Sequence, residues 1–254
     1  MKLFAMSDIH SFYEPMMVAL EKNGFEIDNK DHHLIVCGDL FDRGPDAVKV
    51  FNFVKKLADE GRFHYVCGNH EELLFECLNE VRGHIGMSSH HVSNGTFDTI
   101  MQLTGVGKYD LLHGFYDKTE FANKIGQVID FIADNAVDYV EFGDYVFVHG
   151  WIPCNQYAGK VEENWRDGDW EAARWINGML AWQKKARVPG KTIVCGHFHT
   201  SWGHSHIHQT CKEFPQKNRT NWQECFVPFV DEGIIALDAC TVYTGYCNCL
   251  VIEV

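Results

Sequence analysis

The amino-acid sequence predicts an α/β protein, and three observations support this fold class. The first third of the chain alternates short apolar runs with amphipathic segments, a pattern typical of parallel strands joined by helices. The chain has 254 residues, which is enough for one large hydrophobic core. Its hydrophobic fraction of 46% is ordinary for a folded globular protein.

The elements of the first third follow one another in a regular order. Buried strands are predicted at residues 2–6, 34–37 and 63–67. Amphipathic helices are predicted at residues 14–22, 45–60 and 70–80. Because parallel strands need a crossover connection, usually a helix, this order predicts a parallel sheet with helices on its faces.

The remainder of the chain has a different pattern. Glycines punctuate residues 81–141, where only residues 121–135 have convincing helical periodicity. We interpret this segment as a cap-like insertion in a single domain of residues 1–254. Residues 201–232 are polar and aromatic and are predicted to form a long loop or hairpin. Further apolar strands are predicted at residues 145–148, 192–195, 234–237 and 249–252.

Charge and composition restrict the partners. The chain has 22 basic and 35 acidic residues and a net charge of −13, which disfavours nucleic acid because that partner needs Lys and Arg. Phosphorylated substrates stay possible, since bound cations reverse the charge locally. No apolar run reaches the roughly 20 residues that span a bilayer. The 10 cysteines are scattered, so we expect a reduced, cytoplasmic protein without a membrane partner.

Polar clusters directly follow five of the predicted strands. They are Asp8-Ile9-His10, residues 38–44, residues 68–71, His149-Gly150 and residues 196–199. In open α/β sheets, ligands bind at the carboxyl ends of strands, where residues distant in sequence meet. We therefore expect the five clusters to converge on one crevice.

The residue types in these clusters favour metal ions. Carboxylate and amide oxygens together with imidazole nitrogens bind Mn, Fe, Zn or Ni, and no thiolate is present to favour a softer ion. One bridging carboxylate can hold two ions about 3.5–4 Å apart. Such a pair makes hydroxide available near neutral pH and neutralises a phosphate group. The sequence therefore predicts two divalent or transition metal ions at a phosphoester hydrolysis site.

In their order along the chain, these motifs resemble those of the calcineurin-like metallophosphoesterase superfamily, and especially the bacterial and phage members of its phosphoprotein phosphatase (PPP) family. Residues 94–99, residues 148–153 and Leu237-Asp238 are similar to further family segments. The resemblance implies a four-layer α/β/β/α sandwich of mixed sheets flanked by helices. It also implies a metal-dependent hydrolase that removes phosphate from Ser, Thr or Tyr of a phosphorylated protein, or from a small phosphoester.

The resemblance implies a set of metal ligands. These are Asp8, His10, Asp39, Asn69, His149 and His197. Asp8 and His10 would hold the first ion, Asp39 would bridge, and the other three would hold the second.

It also implies the catalytic groups. His70 would be the general acid for the leaving oxygen, oriented by Asp42. Arg43 would grip the phosphate oxygens with its planar guanidinium, and Asn69 would also contact the substrate.

Two departures from the family pattern concern the site. His199 is an additional histidine, and alternation in an extended segment would point it the same way as His197, as a ligand of the first metal. Asn177 stands where the family places a second phosphate-binding arginine. Arg174 is one helical turn away from that position, so the sequence leaves its role open.

Several alternatives remain at this stage. The substrate can instead be a dinucleoside polyphosphate or a nucleic-acid phosphodiester, and a metal-stabilised binding module without turnover is the alternative from another class. One of His90 and His91 can line the cleft. His204, His206 and His208 can bind a further metal or simply form a solvated loop face. For Trp165, Trp170, Trp175 and Trp182, helix-compatible spacing predicts core packing.

Overall fold

The computed structural model describes residues 1–83 and 88–254; residues 84–87, part of the predicted insertion, lie outside the described residues. The strands are β1 Lys2–Met6, β2 His32–Cys37, β3 Phe63–Val66, β4 Ala136–Val137, β5 Val140–Phe142, β6 Tyr145–Phe147, β7 Cys154–Asn155, β8 Lys160–Val161, β9 Thr192–Cys195, β10 Phe229–Asp231, β11 Ile234–Ala236 and β12 Leu250–Glu253. The α-helices are α1 Tyr13–Lys22, α2 Ala47–Asp59, α3 Asn69–Gly83, α4 Ser89–Asn94, α5 Thr96–Thr104, α6 Lys108–His113, α7 Lys118–Asn135, α8 Trp170–Ala173, α9 Gly178–Gln183, α10 Thr200–His206 and α11 Thr241–Thr244. Short 3-10 helices occupy Trp165–Asp167 and Trp222–Cys225.

Two mixed sheets of five strands each form the centre of the described structure, and β7 and β8 form a separate short antiparallel pair. The first sheet has the order β12-β1-β2-β3-β4, in which β12 is antiparallel to β1 and the other pairs are parallel. The second has the order β10-β11-β9-β6-β5, with parallel pairing in its centre and antiparallel pairing at both edges. The predicted parallel start of the chain is therefore the central part of the first sheet.

Three apolar layers hold these sheets and helices together. Between the sheets, Leu3 and Ile35 of the first sheet pack with Phe147 and Val194 of the second. The outer face of the first sheet packs against α1, α2 and α3, and the outer face of the second sheet packs against a tryptophan-rich layer that includes Trp182. The predicted four-layer α/β/β/α sandwich is confirmed.

Periodicity in the first third is strong because each helix buries one face. In α2, Val50, Val54 and Leu57 are spaced by four and three residues and are fully buried. This spacing places them on one side of a 3.6-residue helix, facing the sheet. The predicted elements of this region accordingly lie within a few residues of the observed ones.

The described residues of 81–141, the segment predicted to be an insertion, contain more helix than the sequence pattern predicts. Besides α7, helices α4, α5 and α6 lie within it, so the prediction of one convincing helix is wrong. Gly95, Gly105 and Gly114 end these three helices with positive φ angles of 81°, 75° and 70°. Glycine adopts this left-handed conformation readily and commonly ends helices, so glycines that suggested irregular structure in fact separate short helices.

Residues 201–232 also contain more regular structure than predicted. Helix α10 begins at Thr200 and extends through a stretch rich in His, Ser and Gly, which has weak helix propensity. Gly203 lies against Met179 and Phe229 so closely that a side chain there would collide with both. Tertiary packing therefore determines this helix, and a local pattern cannot reveal it. Among the described residues, no helix is long and apolar enough to cross a bilayer.

We expect the insertion to share the stability of the main core. Ile100 of α5 is fully buried in the apolar cluster on the outer face of the first sheet. Ile100→Ala should therefore lower the free energy of unfolding by about 2–5 kcal/mol in one cooperative transition, measured by urea denaturation of the whole chain. The matched control is Val92→Ala on α4, where the side chain is 47% exposed and the change should stay within about 0.5 kcal/mol. A separate early transition for the Ile100 variant would contradict a shared core.

Candidate metal centre and active site

The carboxyl ends of four strands, β1, β2, β3 and β9, meet at one small pocket of about 120 Å³. Its lining residues are Asp8, His10, Asp39, Arg43, Asn69, His70, Leu73, His90, Asn94, Trp175 and His197. His149, which follows β6, is buried beside this pocket and faces Asp39. The structure thus brings together all five polar clusters that follow the strands.

Asp39 occupies the centre of the site, between two groups of imidazoles. Its Oδ1 lies 3.3 Å from Nε2 of His149, and its Oδ2 lies 3.7 Å from Nε2 of His10. Asp39 with His10 and His70 forms one set of potential ligands, and Asp39 with His149 and His197 forms another. Because each carboxylate oxygen faces a different set, Asp39 has the placement of a bridging ligand.

Asn69 completes the second set. Its Oδ1 lies 2.8 Å from Nε2 of His149 and 3.0 Å from Nδ1 of His197. Three donor atoms from three different strand ends therefore point at one position next to Asp39. An amide oxygen with two imidazole nitrogens is a common ligand set for borderline divalent ions.

Backbone carbonyl groups orient two of the imidazoles. His10 Nδ1 lies 2.9 Å from the carbonyl oxygen of Phe41, and His149 Nδ1 lies 2.8 Å from that of Cys37. A carbonyl oxygen only accepts hydrogen bonds, so each Nδ1 carries the proton. This arrangement leaves Nε2 of both rings with a free lone pair directed at Asp39, as metal-binding histidines require.

Asp8 lies at the pocket with one carboxylate oxygen already engaged. Its Oδ2 accepts hydrogen bonds from the Ser7 hydroxyl and, at 2.9 Å, from the backbone N–H of His197. The Ser7 hydroxyl therefore holds the carboxylate of its neighbour in the chain. Gly196 is in contact with both Ser7 and Asp8, and a side chain at this position would collide with them.

The electrostatics of the described residues fit a bound cation. Burial, followed by repulsion from Asp39, raises the pKa of Asp8, and burial raises the pKa of Asp39 as well. Burial lowers the pKa of His197 to about 3 and that of His10 well below its usual value. Metal ions bind neutral imidazoles and ionised carboxylates. A positive ion at this position would relieve the repulsion between the Asp8 and Asp39 carboxylates.

The backbone adopts strained conformations at these positions. Asp8, His10, Asp39 and His197 have φ angles of 52°, 51°, 55° and 64°. Side chains other than that of glycine rarely occupy this left-handed region, and such residues concentrate at functional sites. The turns they form end the strands and direct the side chains into the pocket.

Glu71 connects two of the site loops. Its buried carboxylate accepts hydrogen bonds from the backbone N–H groups of Gly68 at 2.7 Å and of Asp39 and Leu40 at 3.0 Å each. Hydrogen bonds to a charged carboxylate are stronger than those between neutral groups. Glu71 therefore fixes the loop after β2 against the loop after β3.

His70 is held by a buried aspartate. Its Nδ1 lies 2.7 Å from Oδ2 of Asp42, whose carboxylate also accepts hydrogen bonds from the hydroxyls of Thr96 and Thr99. Burial alone would lower the pKa of His70, but the carboxylates of Asp39 and Asp42 outweigh it and raise the pKa above its usual value. Both nitrogens of the ring have partners: Nδ1 donates to Asp42, and Nε2 accepts a hydrogen bond from Nη2 of Arg43 at 3.0 Å, because a guanidinium only donates. This geometry favours proton transfer over metal ligation.

Two residues considered from the sequence lie elsewhere. His199 precedes α10, and the helical turn directs its ring to Ser201 and Glu213, at 2.8 Å and 3.3 Å, away from His197 and Asp39. Alternation in an extended segment is therefore the wrong geometry for His199. Arg174 forms ion pairs with Glu72 and Asp138 and does not line the pocket.

Asn177 and three histidines whose roles the sequence does not decide contact groups outside the pocket. Asn177 accepts a hydrogen bond from the Leu180 N–H and caps α9. His204, His206 and His208 contact Val227, Glu213 and Asp231, respectively.

Sequence reasoning missed part of the pocket wall. Leu73, Asn94 and Trp175 line the pocket, and of the two adjacent histidines it is His90 that does so. Asn94 could have been predicted to line the pocket, because residues 94–99 are similar to a family segment. Trp175 carried no local signal, because its spacing fits a buried helix face equally well.

A four-layer sandwich with carboxylate, amide and imidazole groups at its strand ends, beside a histidine held by an aspartate, defines a class of metal-dependent phosphoester hydrolases. The chain belongs to the calcineurin-like phosphoesterase family, whose family model matches residues 1–201.

Two relatives of this chain are bis(5'-nucleosyl)-tetraphosphatases, one asymmetrical and one symmetrical. The asymmetrical bis(5'-nucleosyl)-tetraphosphatase PrpE of Bacillus velezensis is 30% identical over 169 residues, which cover 62% of this chain and 61% of that protein. The symmetrical bis(5'-nucleosyl)-tetraphosphatase of Buchnera aphidicola is 37% identical over 94 residues, 37% of this chain and 31% of its own. The chain thus matches less than two thirds of either relative.

A solved structure supports the fold alone. The cold-active protein-tyrosine phosphatase of a psychrophilic Shewanella species aligns with 99% of this chain and 75% of its own, with a TM-score of 0.53 and 16% identity.

We expect Asp39 to control the binding of metal at both positions. Asp39→Asn removes the negative charge while it keeps the size of the side chain, and should weaken Mn²⁺ binding at least about 100-fold, a larger loss than removal of a residue that only orients a ligand. Isothermal titration of the metal-free protein with Mn²⁺ measures this. The matched control is Asp98→Asn, an exposed aspartate on α5, which should bind Mn²⁺ like the unaltered protein. Equal affinity in the Asp39 variant would refute the bridging placement.

Proposed function

We propose that this protein is a metal-dependent hydrolase that cleaves dinucleoside polyphosphates at a phosphoanhydride bond. The main support for metal-dependent hydrolysis is the position of Asp39. Each of its carboxylate oxygens faces a different set of imidazoles, and the His70–Asp42 pair lies next to it. The names of the relatives in Bacillus velezensis and Buchnera aphidicola support the substrate class.

The residues present fit two divalent cations. Asp8 and His10 would hold one ion, Asn69, His149 and His197 would hold the other, and Asp39 would lie between them. Two such cations, when bound, activate water and neutralise phosphate charge. Mn, Fe, Zn and Ni all suit these ligands.

The other side chains bind the substrate and move a proton. Arg43 is exposed at the pocket mouth, where its guanidinium can donate two parallel hydrogen bonds to phosphate oxygens. When the Arg43 guanidinium turns from His70 Nε2 to the phosphate, Nε2 is free to take up a proton, and Asp42 stabilises the resulting imidazolium. Water gives one proton to solvent as its oxygen bonds to phosphorus, and His70 donates the Nε2 proton to the leaving oxygen as the bond from that oxygen to phosphorus breaks. Asp42 keeps the imidazole oriented and stabilises its charged form.

The second candidate function is dephosphorylation of Ser, Thr or Tyr in proteins. The intact Asp42-Arg43 and Asn69-His70 motifs favour it. Against it, Arg174 is held by Glu72 and Asp138 and supplies no second guanidinium to the pocket. The net charge of −13 argues against nucleic-acid phosphodiesters, the third possibility.

We expect a substrate panel to favour dinucleoside polyphosphates. With Mn²⁺ present, kcat/KM for diadenosine tetraphosphate should exceed that for Ser-, Thr- and Tyr-phosphopeptides by at least about tenfold, since only the former provides a chain of phosphates for the cations and Arg43. Ion-exchange chromatography of the products measures the cleavage rate of the dinucleotide and of the phosphopeptides. Faster cleavage of the phosphopeptides would favour the protein phosphatase, and no metal-dependent cleavage of any substrate would favour a binding module.

His70→Asn should reveal the general acid. Asparagine has no titratable proton, so kcat should fall about 10²- to 10⁴-fold, with KM little changed. The loss should be larger for phenyl phosphate than for 4-nitrophenyl phosphate, because the better leaving group needs less protonation. His113→Asn, at an exposed histidine of α6, is the matched control and should retain full activity. Equal losses on the two aryl phosphates would assign His70 a role other than proton donation.

A further inference from the structure

Trp175 differs from the other tryptophans near the second sheet. Trp165, Trp170 and Trp182 are buried in the outer apolar layer, as their spacing predicts. Trp175 is 47% exposed and lines the polar pocket beside Arg43. A large exposed aromatic ring at the rim of a charged pocket contributes nothing to the core and is available to a ligand.

Polar and aromatic groups surround this ring. The side chain of Trp175 lies beside the carboxylate of Glu72 and acts to lower the pKa of that group. Arg174 pairs with the same carboxylate and, at 2.6 Å, with Asp138. The ring also contacts His197 edge to face, with centroids 5.9 Å apart and an interplanar angle of 81°.

Fixing an aromatic ring before a ligand arrives reduces the entropy lost on binding. The ion-pair network of Arg174 thus supports Trp175 on the same wall of the pocket as the proposed metal ligand His197.

We propose that Trp175 is the stacking platform for one nucleobase of the substrate, with the attached phosphates at Arg43 and Asp39. This inference rests on the proposed function and extends it to a subsite. Arg43 and Trp175 line one pocket, so a single nucleotide can contact both. An indole face stacks on any base, and the subsite therefore accepts adenine and guanine nucleotides alike.

A phosphopeptide fits these features less well. A nucleotide carries a flat ring close to its phosphate, whereas phosphoserine and phosphothreonine have none; phosphotyrosine does have a ring, but one much smaller than a purine. The alternative that Trp175 contacts a peptide is one outcome of the following test.

The test compares Trp175→Ala, Trp175→Phe and the unaltered protein on two substrates with Mn²⁺. Loss of the platform should lower kcat/KM for diadenosine tetraphosphate about 5- to 100-fold more than for 4-nitrophenyl phosphate, mostly through KM. Trp175→Phe should recover part of the loss because it keeps a ring. Tyr157→Ala removes a side chain that is 74% exposed outside the pocket and is the matched control, with both activities unchanged. Equal losses on both substrates would indicate a structural role and overturn the inference.

A binding measurement separates this inference from the proposed function. Adenosine monophosphate should inhibit the hydrolysis of 4-nitrophenyl phosphate by the unaltered protein more strongly than inorganic phosphate does, and Trp175→Ala should abolish this difference. If diadenosine tetraphosphate is not cleaved but this difference appears, the substrate assignment fails and the nucleobase subsite stands. If adenosine monophosphate and phosphate inhibit equally, or if a phosphopeptide alone shows the Trp175 dependence, the subsite is refuted.

Discussion

The structure depends on one buried carboxylate, that of Asp39, at the point where two groups of imidazoles meet. Its placement requires a left-handed turn at the end of β2, the absence of a side chain at Gly68, and the three amide hydrogen bonds that Glu71 accepts. Burial raises the pKa of both Asp39 and Asp8, and repulsion from Asp39 raises that of Asp8 further, so two buried carboxylates here are unfavourable without a counter-charge. The fold therefore tolerates an electrostatic cost that bound cations can offset.

The central part of the fold was predictable because its signals are local. Apolar runs in β1, β2 and β3 and the buried face of α2 are visible in a short window of sequence. The short helices within residues 81–141 were not predictable, because glycines such as Gly105 suggest irregular structure although they in fact end helices. Helix α10 was missed for a different reason: its packing partners, Met179 and Phe229, are distant in sequence.

In the site, too, residues with a local signal were predictable, and residues placed by distant contacts were not. Residues that follow a strand closely, such as Asp39 after β2 and His197 after β9, could be assigned to a site because ligands bind at the carboxyl ends of strands; that the two strands belong to different sheets was not visible in the sequence. His199 could not, because the chain changes from extended to helical directly after it. The partners of Arg174, Glu72 and Asp138, are 102 and 36 residues away, and no spacing rule connects them.

Under the proposed function, the charges that line the pocket make substrate affinity depend on bound metal as much as the chemistry does. Asp8 and Asp39 contribute two carboxylates to the lining, while Arg43 contributes one guanidinium. A polyphosphate that approaches this pocket without cations meets a negative surface on a chain whose net charge is already −13. Arg43 alone is too weak a counter-charge, because it is exposed and largely screened by solvent. The proposed function thus couples substrate recognition and metal binding in one site, and the proposed stacking on Trp175 is the contact whose strength does not depend on charge.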